Sequence, residues 1–155
     1  MLKNNKIFKT SDLQKLDKYT IENEPVTSLD LMERAATVFT EKLLIFFPNN
    51  HIFNILAGFG NNGGDGYVVA RLLLKKGLNV KVFGLHGNSV LSPDCAVNRK
   101  RFIDMGGCYI EVKNPGHAES GFKCMEINGQ TIFNNYVKDE WLMSNGDNII
   151  TLYMS

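Results

Sequence analysis

Cysteine, charge imbalance and long apolar runs are all scarce in this sequence, and each shortage excludes a class of protein. The three cysteines, Cys95, Cys108 and Cys124, are odd in number and lack C-x-x-C spacing, which favours a reducing compartment over a disulfide scaffold. The formal net charge is only +1 and the basic residues are scattered, so no nucleic-acid footprint is visible. No signal peptide or bilayer-spanning run is present. We therefore predict a cytoplasmic protein with no nucleic-acid or membrane partner.

The glycines are concentrated in one short segment of the chain. A short apolar strand, Ile52 to Ala57, leads into residues 58–66, which contain five glycines, two asparagines and one aspartate. Helix-forming residues follow from Tyr67 to Lys76. A strand, a glycine-rich turn and a helix N-terminus form an anion cradle, because unpaired backbone N–H groups and the positive end of the helix dipole converge there. Glycine permits close approach of the backbone and a positive φ.

The ligand of this loop is not fixed by its glycines alone. Gly58-x-Gly60-x-x-Gly63 matches the dinucleotide fingerprint in the expected strand–helix context. Two details argue against an ordinary nicotinamide dehydrogenase. Residues 86–88, after the second strand, include no acidic residue that could bind a ribose hydroxyl, and the Asp65 carboxylate would repel a pyrophosphate lying directly against the loop. No Gly-Lys-Ser/Thr follows, so a Walker loop is excluded. Two simpler roles stay open: Asp65 as the N-cap of a helix beginning at Gly66, and asparagines that only tolerate left-handed turns.

Strand and helix patterns alternate along most of the chain. Capping patterns at Ser11 and Thr27 predict two helices, and Ser92 followed by Pro93 predicts another. Strands are expected at Ile52 to Ala57, Val80 to Leu85 and Cys108 to Val112. This alternation predicts a single α/β domain, a three-layer αβα Rossmann-like sandwich with a mostly parallel sheet covered on both faces. Right-handed crossovers place the glycine loop at the carboxyl edge of that sheet.

The string from Gly60 to Gly66, Gly-Asn-Asn-Gly-Gly-Asp-Gly, resembles that of the YjeF N-terminal-domain family, the NAD(P)H-hydrate epimerases. The resemblance covers about residues 8–107, including Ser28 to Ala36 upstream and Val69 to Leu73 downstream. It implies an isomerase that interconverts the R and S epimers of hydrated NADH or NADPH, so that an NAD(P)H-hydrate dehydratase can restore the cofactor.

The resemblance also implies the residues of the site. The hydrated dinucleotide would contact Asn61, Asn62, Gly63, Gly64 and Asp65. Asn62 would supply an oxygen ligand to a potassium ion. Expected partners are the dinucleotide substrate, the dehydratase as a functional partner and, as one option, a second copy in a homodimer.

Residues 108–155 form a divergent tail in which the family pattern fails. Neither the Asp-x-x-Phe-Gly-Thr-Gly loop nor the Asp-Ile-Pro-Ser-Gly stretch of the family occurs there, so the catalytic residue is unknown. We also expect the sheet to be truncated on its C-terminal side, with an unpaired strand edge. The tail instead predicts a hairpin turning at Asn128-Gly129, a short helix at Trp141 and a strand from Ile149 to Tyr153. Three origins of this tail stay open: a frameshifted end, a divergent true end, or a segment that serves another purpose. A second function also stays open, in which the chain is a non-catalytic nucleotide-binding or interaction module.

Overall fold

The computed structural model describes residues 9–48, 51–85, 89–113, 121–142 and 148–154. Segment 86–88, which entered the argument against a dehydrogenase, lies outside these residues. The helices and strands, in chain order, are α1 (Thr10–Asn23), α2 (Ser28–Phe46), β1 (Ile52–Ala57), α3 (Asn61–Lys75), β2 (Asn79–Gly84), α4 (Pro93–Asp104), β3 (Cys108–Lys113), β4 (Cys124–Ile127), β5 (Gln130–Ile132), a 3-10 turn (Asp139–Trp141) and β6 (Ile149–Tyr153).

Six strands form one sheet in the order β1-β2-β3-β6-β4-β5. The pairs β1–β2, β2–β3 and β3–β6 are parallel, whereas β4 pairs antiparallel with both β6 and β5. The α/β, Rossmann-like class with a mostly parallel sheet is therefore confirmed. The parallel part requires helical crossovers, and α3 and α4 supply two of them.

The α-helices α2, α3 and α4 pack on one face of this sheet. Alternate side chains of the first two strands, among them Phe53, Ile55, Val80 and Val82, point into a core shared with these helices. α3 contacts α2 on one side and α4 on the other, and it lies over β1 and β2. This layer positions the start of α3 at the carboxyl edge of the sheet.

The opposite face is covered less completely. A second core forms there around Ile110, Ile127 and Ile150, and Trp141 of the 3-10 turn packs against it. Near β1 this face is open, since Ile52 and Leu56 are exposed. Within the ranges given above, no α-helix packs on it, so the expected cover on both faces is seen in full on one face only.

The tail is part of the sheet. The hairpin turns at Asn128 and Gly129 with φ of 51° and 85°, as a type I′ turn requires. β6 inserts between β3 and the hairpin, so the truncated parallel sheet does not leave β3 unpaired. In the part of the chain that the structure describes, the unpaired edges are those of β1 and β5.

Local signals set most helix ends. Thr27 and Asp30 form a capping box at the start of α2, and the Ser92 hydroxyl accepts a hydrogen bond from the Cys95 amide at the start of α4. The predicted capping box at Ser11 is wrong. α1 begins at Thr10, and the side chain of its N-cap residue, Lys9, makes no capping hydrogen bond. Among the described helices, none combines the length and apolar character needed to cross a bilayer.

Candidate functional site

The glycine-rich segment is the first turn and a half of α3 rather than a loop before it. Gly60 is the N-cap, and its carbonyl accepts hydrogen bonds from the Gly63 and Gly64 amides at 3.0 and 3.2 Å. The expectation that the helix begins at Gly66 or Tyr67 is wrong, and with it the role of Asp65 as N-cap. Glycine and asparagine are weak helix formers, and tertiary packing overrides that preference here.

Close packing explains two of the glycines. A Cβ on Gly63 would lie 2.0 Å from the Gly58 carbonyl oxygen, and one on Gly64 would lie 2.8 Å from the Met32 methyl carbon. Positive φ is found at Gly77, Gly106, Gly121, Gly129 and Asn128 and at no position of residues 58–66. The alternative in which Asn61 and Asn62 only tolerate left-handed turns is therefore wrong, and the glycines of this segment do not use a positive φ. The glycines allow α3 to begin against the end of β1.

The exposed part of the segment is its tip. Asn61 and Asn62 are exposed, Gly63 and Gly64 are buried, and Asp65 is half-buried. The amides of Asn61 and Asn62 precede the first intrahelical hydrogen bond of α3, which the Gly63 amide donates. These two amides and the positive end of α3 can accept an anion, so residues 61 and 62 are called the anion-binding tip below, and the buried Gly63 and Gly64 support them.

Helix α1 forms a wall facing this tip. A cavity of about 320 Å³ lies between Asn61 and the α1 side chains Gln14, Asp17, Lys18, Ile21 and Glu22. Lys18 stands 3.7 Å from Glu22 in an exposed ion pair. No individual role was predicted for these residues from the sequence, and no residue of α1 is buried. Only the fold brings them to the glycine segment.

Asp65 and Asp17 influence each other across this region. Burial raises the pKa of Asp65, and the nearby negative charge of Asp17 raises it further. Two carboxylates that repel each other in this way favour a cation between or beside them. Among the described residues, no three His, Cys, Asp or Glu side chains lie close enough together to hold a metal ion.

We expect Asp65→Asn to stabilise the protein at neutral pH. Folding raises the pKa of this carboxyl group above its unfolded value of 3.8. Its contribution to the free energy of unfolding is fully present below pH 3.8 and is lost as the pH rises through the pKa of the folded state. The variant should therefore be more stable than the wild type at pH 7 and equal to it near about pH 3. Urea denaturation at both pH values measures this.

Asp30→Asn is the control with the opposite sign. Hydrogen bonds from the hydroxyl and amide of Thr27 lower the pKa of Asp30. Its contribution is present above the unfolded pKa and is lost as the pH falls, so this variant should be less stable at pH 7 and equal to the wild type in acid. Equal shifts of both variants at pH 7 would contradict the argument.

Comparison with known proteins gives a consistent group of relatives. Residues 28–137 match the family described as YjeF-related protein N-terminus. This match extends past Gly107, where the resemblance was expected to end, into the hairpin. A Rhodobacter capsulatus protein named NAD(P)H-hydrate epimerase is 36% identical over 109 residues, covering 64% of this chain and 50% of the relative. The chain therefore spans about half the length of that enzyme.

Two further relatives extend the comparison. The bifunctional NAD(P)H-hydrate repair enzyme Nnr of Moorella thermoacetica is 33% identical over 112 residues, covering 70% of this chain and 21% of the relative. The crystal structure of yeast ynu0 (YNL200c) superposes with a TM-score of 0.58 at 23% identity, covering 69% of this chain and 47% of that one. The latter likeness supports the fold.

Proposed function

Because the chain belongs to the family of YjeF-related N-terminal domains, we propose that it binds hydrated NADH or NADPH and interconverts the R and S epimers. The observation that carries this proposal is the family match over a segment that includes the whole start of α3. Relatives named NAD(P)H-hydrate epimerase, at 36 to 46% identity, support the same substrate.

The geometry suits the phosphate part of such a ligand. The exposed amides of Asn61 and Asn62 can donate to a pyrophosphate oxygen, and the dipole of α3 favours its negative charge. Gly63 and Gly64 keep these amides in place through their buried packing. Asp65 is the fifth residue of α3, one turn after Asn61.

Asn62 is the proposed potassium ligand, with Asp17 and Asp65 as the nearby carboxylates. Their mutual repulsion, expressed in the raised pKa of Asp65, is relieved by a bound cation. The ion would supply positive charge beside the ligand phosphates. The residue that moves protons at the hydrated carbon is not assigned to any side chain of this protein.

A non-catalytic nucleotide-binding or interaction module is the second candidate. The observation behind it is that residues 108–155 hold no Asp-Ile-Pro-Ser-Gly stretch. Under this alternative the anion-binding tip binds the dinucleotide without turnover.

We also carry forward the remaining expectations about context. Relatives named as bifunctional repair enzymes support a dehydratase as the functional partner. A cytoplasmic location and a homodimer as one option stay predictions, and light scattering after size-exclusion chromatography measures the mass in solution.

We expect purified protein to speed R-to-S equilibration of hydrated NADH above the spontaneous rate, and potassium to increase this rate. With potassium present, Asn62→Ala should weaken dinucleotide binding about tenfold, because it removes the side-chain oxygen proposed to hold the ion beside the ligand phosphates, a contact worth roughly 1.4 kcal/mol, while the backbone amide remains. Asn79→Ala, at the opposite end of the sheet, is the matched control and should leave the affinity unchanged. Chromatographic separation of the epimers and calorimetric titration supply the two measurements.

If R-to-S equilibration is no faster than the spontaneous reaction but dinucleotide binding depends on Asn62, only the non-catalytic alternative is left. Absence of both activity and binding would overturn both candidates.

A further inference from the structure

The first turn of α4 holds the glycine-rich segment at three points. The backbone amide of Ser92 donates a hydrogen bond to the Phe59 carbonyl at 2.8 Å, and the Cys95 thiol donates a weak one to the Gly58 carbonyl at 3.7 Å. The Cα atom of Cys95 also lies 3.3 Å from the position that a Cβ on Gly64 would take. α4 therefore contacts both the residues that lead into the anion-binding tip and the turn that supports it.

A buried amide side chain, that of Asn98, lies on α4 about one turn after Cys95. Its Nδ2 atom donates a hydrogen bond to the Asp94 carbonyl of α4 at 3.1 Å and another to the Met32 sulfur of α2 at 3.3 Å. Both partners are acceptors, so the amide must present its N–H groups to them, and this fixes its orientation. Asn98 is thus the polar link between α4 and Met32.

The side chain of Met32 supports the start of α3. Its methyl carbon and sulfur lie 2.8 and 2.9 Å from the position that a Cβ on Gly64 would take, and the residue is only 7% exposed. A thioether side chain is flexible and adapts easily to its surroundings. The hydrogen bond from Asn98 restricts that freedom directly beneath Gly64, which is in the first turn of α3 with Asn61. The position of the anion-binding tip therefore depends on Asn98 through Met32.

Asn98 lowers stability at the position that it occupies. Its Oδ1 atom is buried and has no hydrogen-bond partner within the part of the chain that the structure describes. A buried polar atom without a partner costs free energy, whereas an apolar side chain of similar shape avoids that cost. Natural proteins break such packing rules mainly at functional sites. Stability alone therefore does not explain an amide at this position.

We propose that Asn98 is a positioning residue of the dinucleotide site. By fixing Met32 under Gly64, it holds the backbone amides of Asn61 and Asn62 in the geometry that accepts a pyrophosphate. The identity of the ligand comes from the proposed function, on which this assignment rests, whereas the placement of the two amides does not depend on it.

Asn98→Leu tests this role, because leucine has the same branched side chain without polar atoms. The variant loses both the contact that fixes Met32 and the unpaired buried oxygen. We expect the midpoint of urea denaturation to stay within about 0.5 M of the wild-type value or to rise. The affinity for hydrated NADH should fall about tenfold in calorimetric titration. In NMR spectra of the ligand-free protein, the amide resonances of Asn61 and Asn62 should shift.

Phe102→Leu is the matched control on the same helix. Phe102 is also fully buried, but it lies near the other end of α4, where its ring packs against Gly107 and Tyr67. The smaller side chain leaves a cavity, so the denaturation midpoint should fall by about 0.5 M or more. The affinity for hydrated NADH should stay within about twofold of the wild type, because this site is distant from the anion-binding tip.

Met32→Leu alters the same contact from its other side and nearly conserves volume. We expect it to weaken the binding of hydrated NADH about threefold. The double variant with Asn98→Leu should bind no more weakly than Asn98→Leu alone, because both changes remove one interaction.

Wild-type affinity in Asn98→Leu contradicts the positioning role, and so does a joint loss of stability and affinity, which a packing defect would cause. Unshifted amide resonances of Asn61 and Asn62, or additive effects of Met32→Leu and Asn98→Leu, also contradict it. If the wild type itself binds no hydrated NADH, the proposed function fails. The amide resonances of Asn98→Leu then decide by themselves whether Asn98 positions the anion-binding tip.

Discussion

Gly63→Ala is expected to destabilise the protein by about 2 kcal/mol or more and to abolish dinucleotide binding. The added Cβ would lie 2.0 Å from the carbonyl oxygen of Gly58 and 2.8 Å from its carbonyl carbon. Both are backbone atoms, so no side-chain rotation relieves the overlap, and α3 must move away from the end of β1. Alanine gains up to about 1 kcal/mol in helix propensity, but backbone overpacking costs about 3 kcal/mol or more.

Movement of α3 would also displace the amides of Asn61 and Asn62, because both precede Gly63 in the same turn. Stability and binding should therefore fall together. Urea denaturation measures the first and calorimetric titration the second.

Gly58→Ala is the matched control for this experiment. It lies between the end of β1 and the N-cap of α3, has no positive φ, and its added Cβ would meet no atom within 4 Å. We expect a change of at most about 0.5 kcal/mol. If Gly63→Ala were as mild as Gly58→Ala, the close contact between α3 and β1 would not be present in solution.

Glu33→Ala is expected to cost about 2 to 4 kcal/mol, because it leaves the buried guanidinium of Arg71 without its carboxylate. The side chain of Arg71 is only 8% exposed and donates a hydrogen bond to Glu33, joining α3 to α2. The Arg71 Nε atom is buried and has no hydrogen-bond partner, so the described contacts offer little compensation once Glu33 is removed. Because the Glu33 side chain is 36% exposed, solvent screens the pair and keeps the cost below that of a fully buried one.

A neighbouring pair, which joins α2 to the C-cap of α1, is the control. Arg34 donates to Glu24 at 3.0 Å, but both side chains are more than half exposed. Exposed pairs contribute about 0 to 1 kcal/mol, so Arg34→Ala should be nearly neutral. Thermal unfolding of both variants distinguishes the buried from the exposed pair, and equal effects would contradict the assigned burial of Arg71.

Short-range signals in the sequence predicted most element ends correctly. Thr27 with Asp30, Ser92 with Pro93, and Asn128 with Gly129 each form a local hydrogen bond or backbone geometry that needs only neighbouring residues. The start of α3 was predicted about five residues too late. Its glycines and asparagines look like a loop by propensity, and only their packing against Gly58, Met32 and Cys95 makes them helical.

The sequence by itself determined the α/β class, the strand that leads into the glycine-rich segment, and the resemblance that names a substrate. These follow from periodicity, capping and one local string of residues. The tertiary structure alone decided that α1 faces Asn61, that Asp17 acts on Asp65, and that β6 rather than β4 pairs with β3. The physical reason is that such contacts join residues far apart in the chain, and only the packing of the sheet and its helices selects them.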